Sequence, residues 1–321
     1  MNDYVGHDKA WRQFATACDS NKVHHGWILS GPRGIGKSAF ALRAAAMLVD
    51  PENAYASMIA RGSHPDILSV KRLPKEALKE DEDIDDVTEF KRSITVDQIR
   101  GLQQSLTTRP GLSNRRAIII DAADDLERGG ANALLKSLEE PPVGTFFFLI
   151  SHASDRLLPT IRSRCQILRF EALSDADMAN ILQRAAPEVG ADELQALIRL
   201  GNGTPGQALD FLGLDLKEIE DAMTSILRTG DRDNALRSGL AEKLALKAAQ
   251  PRYEAFLRRA PSLIAEYTRK LDATQARNGI AAWEAASGLA ARAIALSLDK
   301  QSVVFQMGSL LASIQAHTAR P

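Results

Sequence analysis

Residues 27–38, Trp-Ile-Leu-Ser-Gly-Pro-Arg-Gly-Ile-Gly-Lys-Ser, restrict what this chain can fold into more than any other stretch. Gly31, Gly36, Lys37 and Ser38 match G-x-x-x-x-G-K-[ST], with Gly34 and Ile35 inside the loop. The glycines let the backbone curl so that successive N–H groups converge on phosphate oxygens. A following helix adds its positive N-terminal end. Lys37 can reach the β- and γ-phosphates, and the Ser38 hydroxyl can ligate Mg²⁺. Trp27–Ser30 predicts a buried strand before the loop and Ala39–Leu48 a helix after it, which is the context the motif needs. A plain glycine turn would not require Lys-Ser at this spacing. The expected ligand is ATP or ADP with Mg²⁺.

Ala117–Asp121 is an apolar strand ending in a carboxylate, the form of a buried central strand in a parallel sheet. Asp121 then lies where the Mg²⁺ of a nucleotide would sit, beside Ser38. A hydrolysing protein of this kind places Glu next to polarise the attacking water. Here Ala122 follows, then Ala123, Asp124 and Asp125.

Around these two points the periodicity predicts a helix over 8–21, a strand opening near His64–Val70 and a helix over Ile94–Leu106. The adjacent pair His24-His25 offers little to a metal, because neighbours in an extended chain point opposite ways. Arg109-Pro110-Gly111 reads as a turn. A helix over Asn132–Glu140 stops at Pro141-Pro142, a strand follows at Thr145–Ile150, a short helix from about Arg156, and a last strand at Gln166–Phe170. Residues 76–89 hold eight acidic residues and one lysine, the composition of a solvated loop. Strand signals end at Leu173. Residues 174–213 predict a small helical unit with an N-cap at Ser174, and 214–321 a set of Ala- and Leu-rich helices with turns near Asp231, Pro251 and Gly279. The division is thus 1–173 (nucleotide-binding α/β), 174–213 (helical lid) and 214–321 (helical).

Composition limits the partners. At 321 residues with a formal charge of −1, the chain is no strongly basic protein that grips nucleic acid alone. Two cysteines, Cys18 and Cys165, are too few for a disulfide framework or a four-cysteine zinc site, which fits a reducing cytoplasm. The absence of a long apolar run argues against a membrane span.

Gly31–Ser38, Ile118–Asp121, Asn132-Ala-Leu-Leu-Lys-Ser-Leu-Glu-Glu-Pro-Pro142 and Leu157-Leu-Pro-Thr-Ile-Arg-Ser-Arg-Cys165 together resemble the clamp-loader subunits of the AAA+ class. Within that class the chain is most similar to the delta-prime type of bacterial DNA polymerase III. The resemblance implies an AAA+ P-loop parallel sheet domain, a small helical lid and an all-α collar that assembles with other subunits. It implies partnership with motor and delta subunits, indirectly with the sliding clamp, and with primer-template DNA inside the assembly. It assigns Arg164 the role of an arginine finger acting on a neighbour's nucleotide. A guanidinium suits this, being permanently charged with a rigid fork of donors; a surface arginine or helix cap is the plainer alternative.

Three departures qualify the resemblance. Motor subunits carry Glu at the position of Ala122, and an Arg at the position of Gly206 within Gly203–Leu209. Many relatives carry four zinc-binding cysteines after the phosphate-loop helix, and residues 49–65 contain none, so no zinc is expected. The first two favour a non-motor, stator-like subunit that binds ATP without turning it over. The alternative is an active ATPase motor with Asp124 or Asp125 replacing the missing Glu.

Overall fold

The computed structural model describes residues 4–19, 23–75, 90–214 and 216–318. The acidic stretch 76–89 and the expected helix end near Asn21 lie outside them. Two compact units divide the chain: Met1–Val189 with Gly201–Gln207, and Gly190–Leu200 with Ala208–Pro321. Their division falls within 174–213 and shares that segment between them.

The first unit is built on five strands, β1 (Gly26–Ser30), β2 (Ile67–Lys71), β3 (Arg116–Asp121), β4 (Thr145–Ser151) and β5 (Gln166–Arg169). All pair in parallel, in the order β2-β3-β4-β1-β5. Parallel neighbours require crossovers. These hold α2 (Lys37–Val49), α3 (Ala56–Ala60), α4 (Val96–Ser105), α5 (Arg128–Glu139) and α6 (Pro159–Arg162), while α1 (Asp8–Asp19) precedes the sheet and α7 (Asp175–Ala185) follows it. Alternate strand residues feed two cores. Trp27, Leu29, Ile119, Phe148 and Ile150 pack with Phe14 and Phe40 on one face. Ile28, Ile118, Ile120, Phe147 and Leu149 pack with Ile99, Leu134, Leu138 and Ile161 on the other. Burial on both sides explains why these strands read as continuous apolar runs rather than alternating ones.

The predicted elements appear within a few residues, and the caps explain where they start. Thr95 and Gln98 form a reciprocal capping box at α4, and the Ser174 hydroxyl accepts from Asp177 N–H at α7. The turn at Arg109–Gly111 is held by the buried Asp66 carboxylate, which accepts N–H bonds from Gly111, Leu112 and Ser113 at 2.6–2.9 Å. These three donors keep its pKa low against the opposing effect of burial.

The second unit is helical, comprising α8 (Ala191–Gly201) up to Leu200 and α10 (Lys217–Thr229), α11 (Ala235–Ala245), α12 (Gln250–Thr268), α13 (Ala273–Ala295) and α14 (Lys300–Thr318), while α9 (Pro205–Leu209) spans the division. Helix α14 packs on α10, α11 and α13. Arg259 of α12, 3% exposed, pairs with Glu220 of α10 and Glu266 at 2.6 Å each. The turn expected at Asp231 is present, its carboxylate taking the N–H groups of Leu236 and Arg237. The break expected around Pro251 is present as well: α11 ends at Ala245, and Pro251 sits in the first turn of α12, where a missing N–H costs nothing. One expected turn is corrected. Gly279 lies inside α13, where a Cβ would overlap Thr268, so this glycine serves close helix packing rather than a turn.

Candidate functional site

The phosphate loop runs from the C-terminal end of β1 into α2. Gly34 and Gly36 have φ of +79° and +100°, the left-handed region that excludes most side chains. A Cβ on Gly31 would sit 2.5 Å from the Phe170 carbonyl oxygen. Ile35 points into the core and anchors the loop at 1% exposure. Lys37 Nζ, 3% exposed, donates to the Gly31 and Pro32 carbonyls at 2.7 and 2.6 Å and to His152 Nδ1 at 3.1 Å. Burial lowers the ammonium pKa to about 8, with Asp121 and Asp124 pulling it back up. The Ser38 hydroxyl donates to Asp121 Oδ2 at 2.6 Å, bringing the two expected Mg²⁺ donors together. Backbone cradle, lysine and oxygen pair therefore fit a magnesium nucleotide.

The catalytic complement is different. Ala122 is buried and carries no polar atom to orient water. Asp124 already accepts from the Ser151 hydroxyl at 2.9 Å and from the N–H groups of His152 and Ala153 at 2.7 and 3.2 Å. It ties the end of β3 to the end of β4. Asp125 pairs with Arg72 at 3.1 Å. Gly206, where motor subunits carry Arg, packs backbone to backbone on the loop: its N–H donates to the Gly34 carbonyl at 2.8 Å. A Cβ there would lie 2.8 Å from Gly34 Cα, so this start of α9 leaves no room for a side chain.

Sequence reasoning missed the brace on the loop's other side. His7 Nε2 bonds the Ile35 carbonyl at 2.9 Å, and Tyr4 donates to the Gly36 carbonyl at 3.3 Å. Arg43 stacks 3.7 Å from the Trp11 ring. Burial lowers the His7 pKa and raises that of Tyr4, keeping both neutral. The signal available was only an isolated tyrosine and histidine, Tyr4 and His7, ahead of α1. His152 was missed too, since a histidine after a strand has no distinctive spacing. The two rings of His24-His25 do not point opposite ways as expected: they stack at 4.4 Å, and each bonds backbone, at Gly26 and at the Leu138 carbonyl.

Arg164 sits at the opposite end of the sheet. Gln166 pairs with Trp27 at the start of β1, whereas the phosphate loop follows Ser30. At about 3.3 Å per strand residue, the two corners are on the order of 15 Å apart. The short helix arrives later than expected: Leu157 and Leu158 are not helical, and α6 begins with Pro159. Arg164 Nη1 donates to the Thr160 carbonyl at 2.9 Å and to Ser163 Oγ at 3.3 Å, a helix-capping geometry. Its Nη2 lies 2.7 Å from Glu139 Oε1, and a third of the side chain is exposed.

A five-stranded parallel sheet in this order, with the Gly31–Ser38 loop after β1 and an acidic residue ending β3, is the α/β architecture that the sequence resemblance implied. Residues 6–174 match the sequence profile of the family described as "DNA polymerase III, delta subunit", and the chain belongs to that family. It is 36% identical over 203 residues to DNA polymerase III subunit delta' of Pseudomonas aeruginosa, covering 60% of this chain and 57% of that one. The delta' subunit of Escherichia coli is 27% identical over 226 residues, 68% of this chain and 63% of that one. The gamma subunit of Buchnera aphidicola is 31% identical over 195 residues, 60% and 51% respectively. The chain thus spans between half and two thirds of the length of these relatives. Among the described residues, no helix is long and apolar enough to cross a membrane.

Proposed function

We propose that this chain is the non-motor, stator-like subunit of a clamp loader, working with motor and delta subunits to place a sliding clamp on primer-template DNA. In this reading it binds ATP or ADP with Mg²⁺ and hydrolyses it negligibly. Gly31, Gly34, Ile35, Gly36 and Lys37 hold the phosphates; Ser38 and Asp121 hold Mg²⁺. Arg164 serves the nucleotide of a neighbouring subunit.

The observation that carries the reading is the mismatch within one site. The loop glycines, Lys37 and the Ser38–Asp121 oxygen pair suit phosphate and Mg²⁺, while buried Ala122 and close-packed Gly206 stand where the water-orienting Glu and the γ-phosphate Arg would be. Backbone N–H groups sustain binding without them, whereas losing a preorganised catalytic group commonly lowers the rate by a factor of about 10²–10³. The family relatives, delta' and gamma subunits of DNA polymerase III, support the assembly context. The test is calorimetry with ATP·Mg²⁺ alongside a turnover assay on the isolated chain. Binding without turnover is expected; brisk turnover by the pure chain would install the motor reading instead.

A further inference from the structure

We propose that Glu139 is a positioning residue for Arg164, holding its guanidinium ready for an anionic oxygen presented by a neighbouring subunit. The inference rests on the arginine-finger reading above and adds the residue that sets the finger's aim.

Glu139 is the last residue of α5, and Glu140 caps it. Two carboxylates at a helix C-terminus oppose the helix dipole, which favours cations there. The surface ion pair that Glu139 makes with Arg164 is worth about as much as that dipole effect disfavours it, so the fold gains little net. Local features that a fold does not need, yet which break a local rule, concentrate at functional positions. What the pair does supply is orientation. An arginine side chain has many rotamers, and fixing them in advance lowers what must be ordered when the target arrives.

The supports behind both residues are rigid. Leu138, beside Glu139, is 1% exposed, and its carbonyl takes a hydrogen bond from His25. Ile161, just before the arginine's own turn, is equally buried in the same core. Cys165, the next residue, lies against Gly26, where a Cβ would come within 2.9 Å of its sulfur. Helix α5 and the turn that closes α6 thus present Glu139 and Arg164 to each other from buried supports. Thr160 and Ser163 accept from Nη1, and Glu139 pairs with Nη2 at 2.7 Å. The guanidinium N–H groups not bonded to Thr160 or Ser163 can meet an incoming phosphate oxygen.

The test is a double-mutant cycle in the reconstituted complex, with ATP, primed DNA and clamp, and with the other ATP sites silenced so that the site served by Arg164 dominates. Glu139→Gln, which keeps shape and acceptor but loses charge, is expected to lower turnover roughly two- to five-fold. In an Arg164→Ala background it should cause no further loss. Glu139→Asp should recover part of the rate, and the wild-type advantage over Glu139→Gln should shrink as salt is raised. Melting curves of each isolated variant establish that it folds. Equal losses from Glu139→Gln in both backgrounds, or no loss while Arg164→Ala is damaging, would overturn the positioning role. If Arg164→Ala itself leaves turnover intact, the finger reading fails and takes this inference with it.

Discussion

The two ends of one sheet make opposite use of their charged groups. At the phosphate loop, charges are turned inward. Lys37 has three partners, Asp124 three, and Gly206 closes on Gly34. At the far end, Arg164 stays a third exposed, tied to the Thr160 carbonyl, the Ser163 hydroxyl and Glu139. In the proposed reading the first corner holds the chain's own nucleotide and the second serves a neighbour. A subunit that binds nucleotide itself but does its chemistry at a neighbour would need this division.

The sharpest way to break the comparison is at Arg164. Its replacement by Ala should lower turnover at the served site by a factor of about 10³–10⁵, and by less in the whole complex, where other sites continue. Arg164→Lys should rescue poorly, since an ammonium lacks the planar fork. Steady-state ATPase of reconstituted complexes reads both.

Arg259 provides the contrast for a structural explanation. It too pairs with glutamates, but its own side chain is buried while Glu220 and Glu266 reach solvent, so Arg259→Ala should destabilise the helical unit by about 1.5–3 kcal/mol in urea unfolding. Arg164→Ala, losing an exposed pair, should cost the fold no more than about 1 kcal/mol. Similar costs for both would make Arg164 a structural residue.

At the loop corner, Gly206→Arg imitates a motor subunit. Because a Cβ there would press on Gly34, the change should cost about 1–3 kcal/mol of stability and confer no turnover. Denaturant midpoints and a turnover assay check each half.

The smallest effect concerns Lys37. Its folded-state pKa of about 8 lies below the ordinary 10.5, so between these values the unfolded chain binds more protons. Stability of the nucleotide-free protein should therefore rise with pH across that window, and Lys37→Met should flatten the rise. Nucleotide affinity should move the opposite way, falling above pH 8 as the ammonium that phosphate prefers is lost. Urea midpoints and calorimetry across the window measure the two trends.

What could be read in advance follows from how local each signal is. Gly31–Ser38 and Ile118–Asp121 were legible because their chemistry lies in consecutive residues, and the strands because burial on both faces makes them apolar throughout. Contacts between distant segments were not. Nothing in the sequence joins Gly206 to Gly34, His7 to Ile35, or Glu139 to Arg164; the sheet brings them together. Gly279 misled for the same reason, since a glycine required by a neighbouring helix looks like a turn until Thr268 is placed beside it.

The central claim is that this chain's own phosphate loop is dispensable for turnover of the assembly while Arg164 is not. The direct measurement compares DNA- and clamp-stimulated ATPase of complexes carrying Lys37→Ala or Arg164→Ala in this subunit alone. The account predicts near wild-type rates for Lys37→Ala and a clear loss for Arg164→Ala. Abolished activity with Lys37→Ala and intact activity with Arg164→Ala would contradict it and make this subunit a motor.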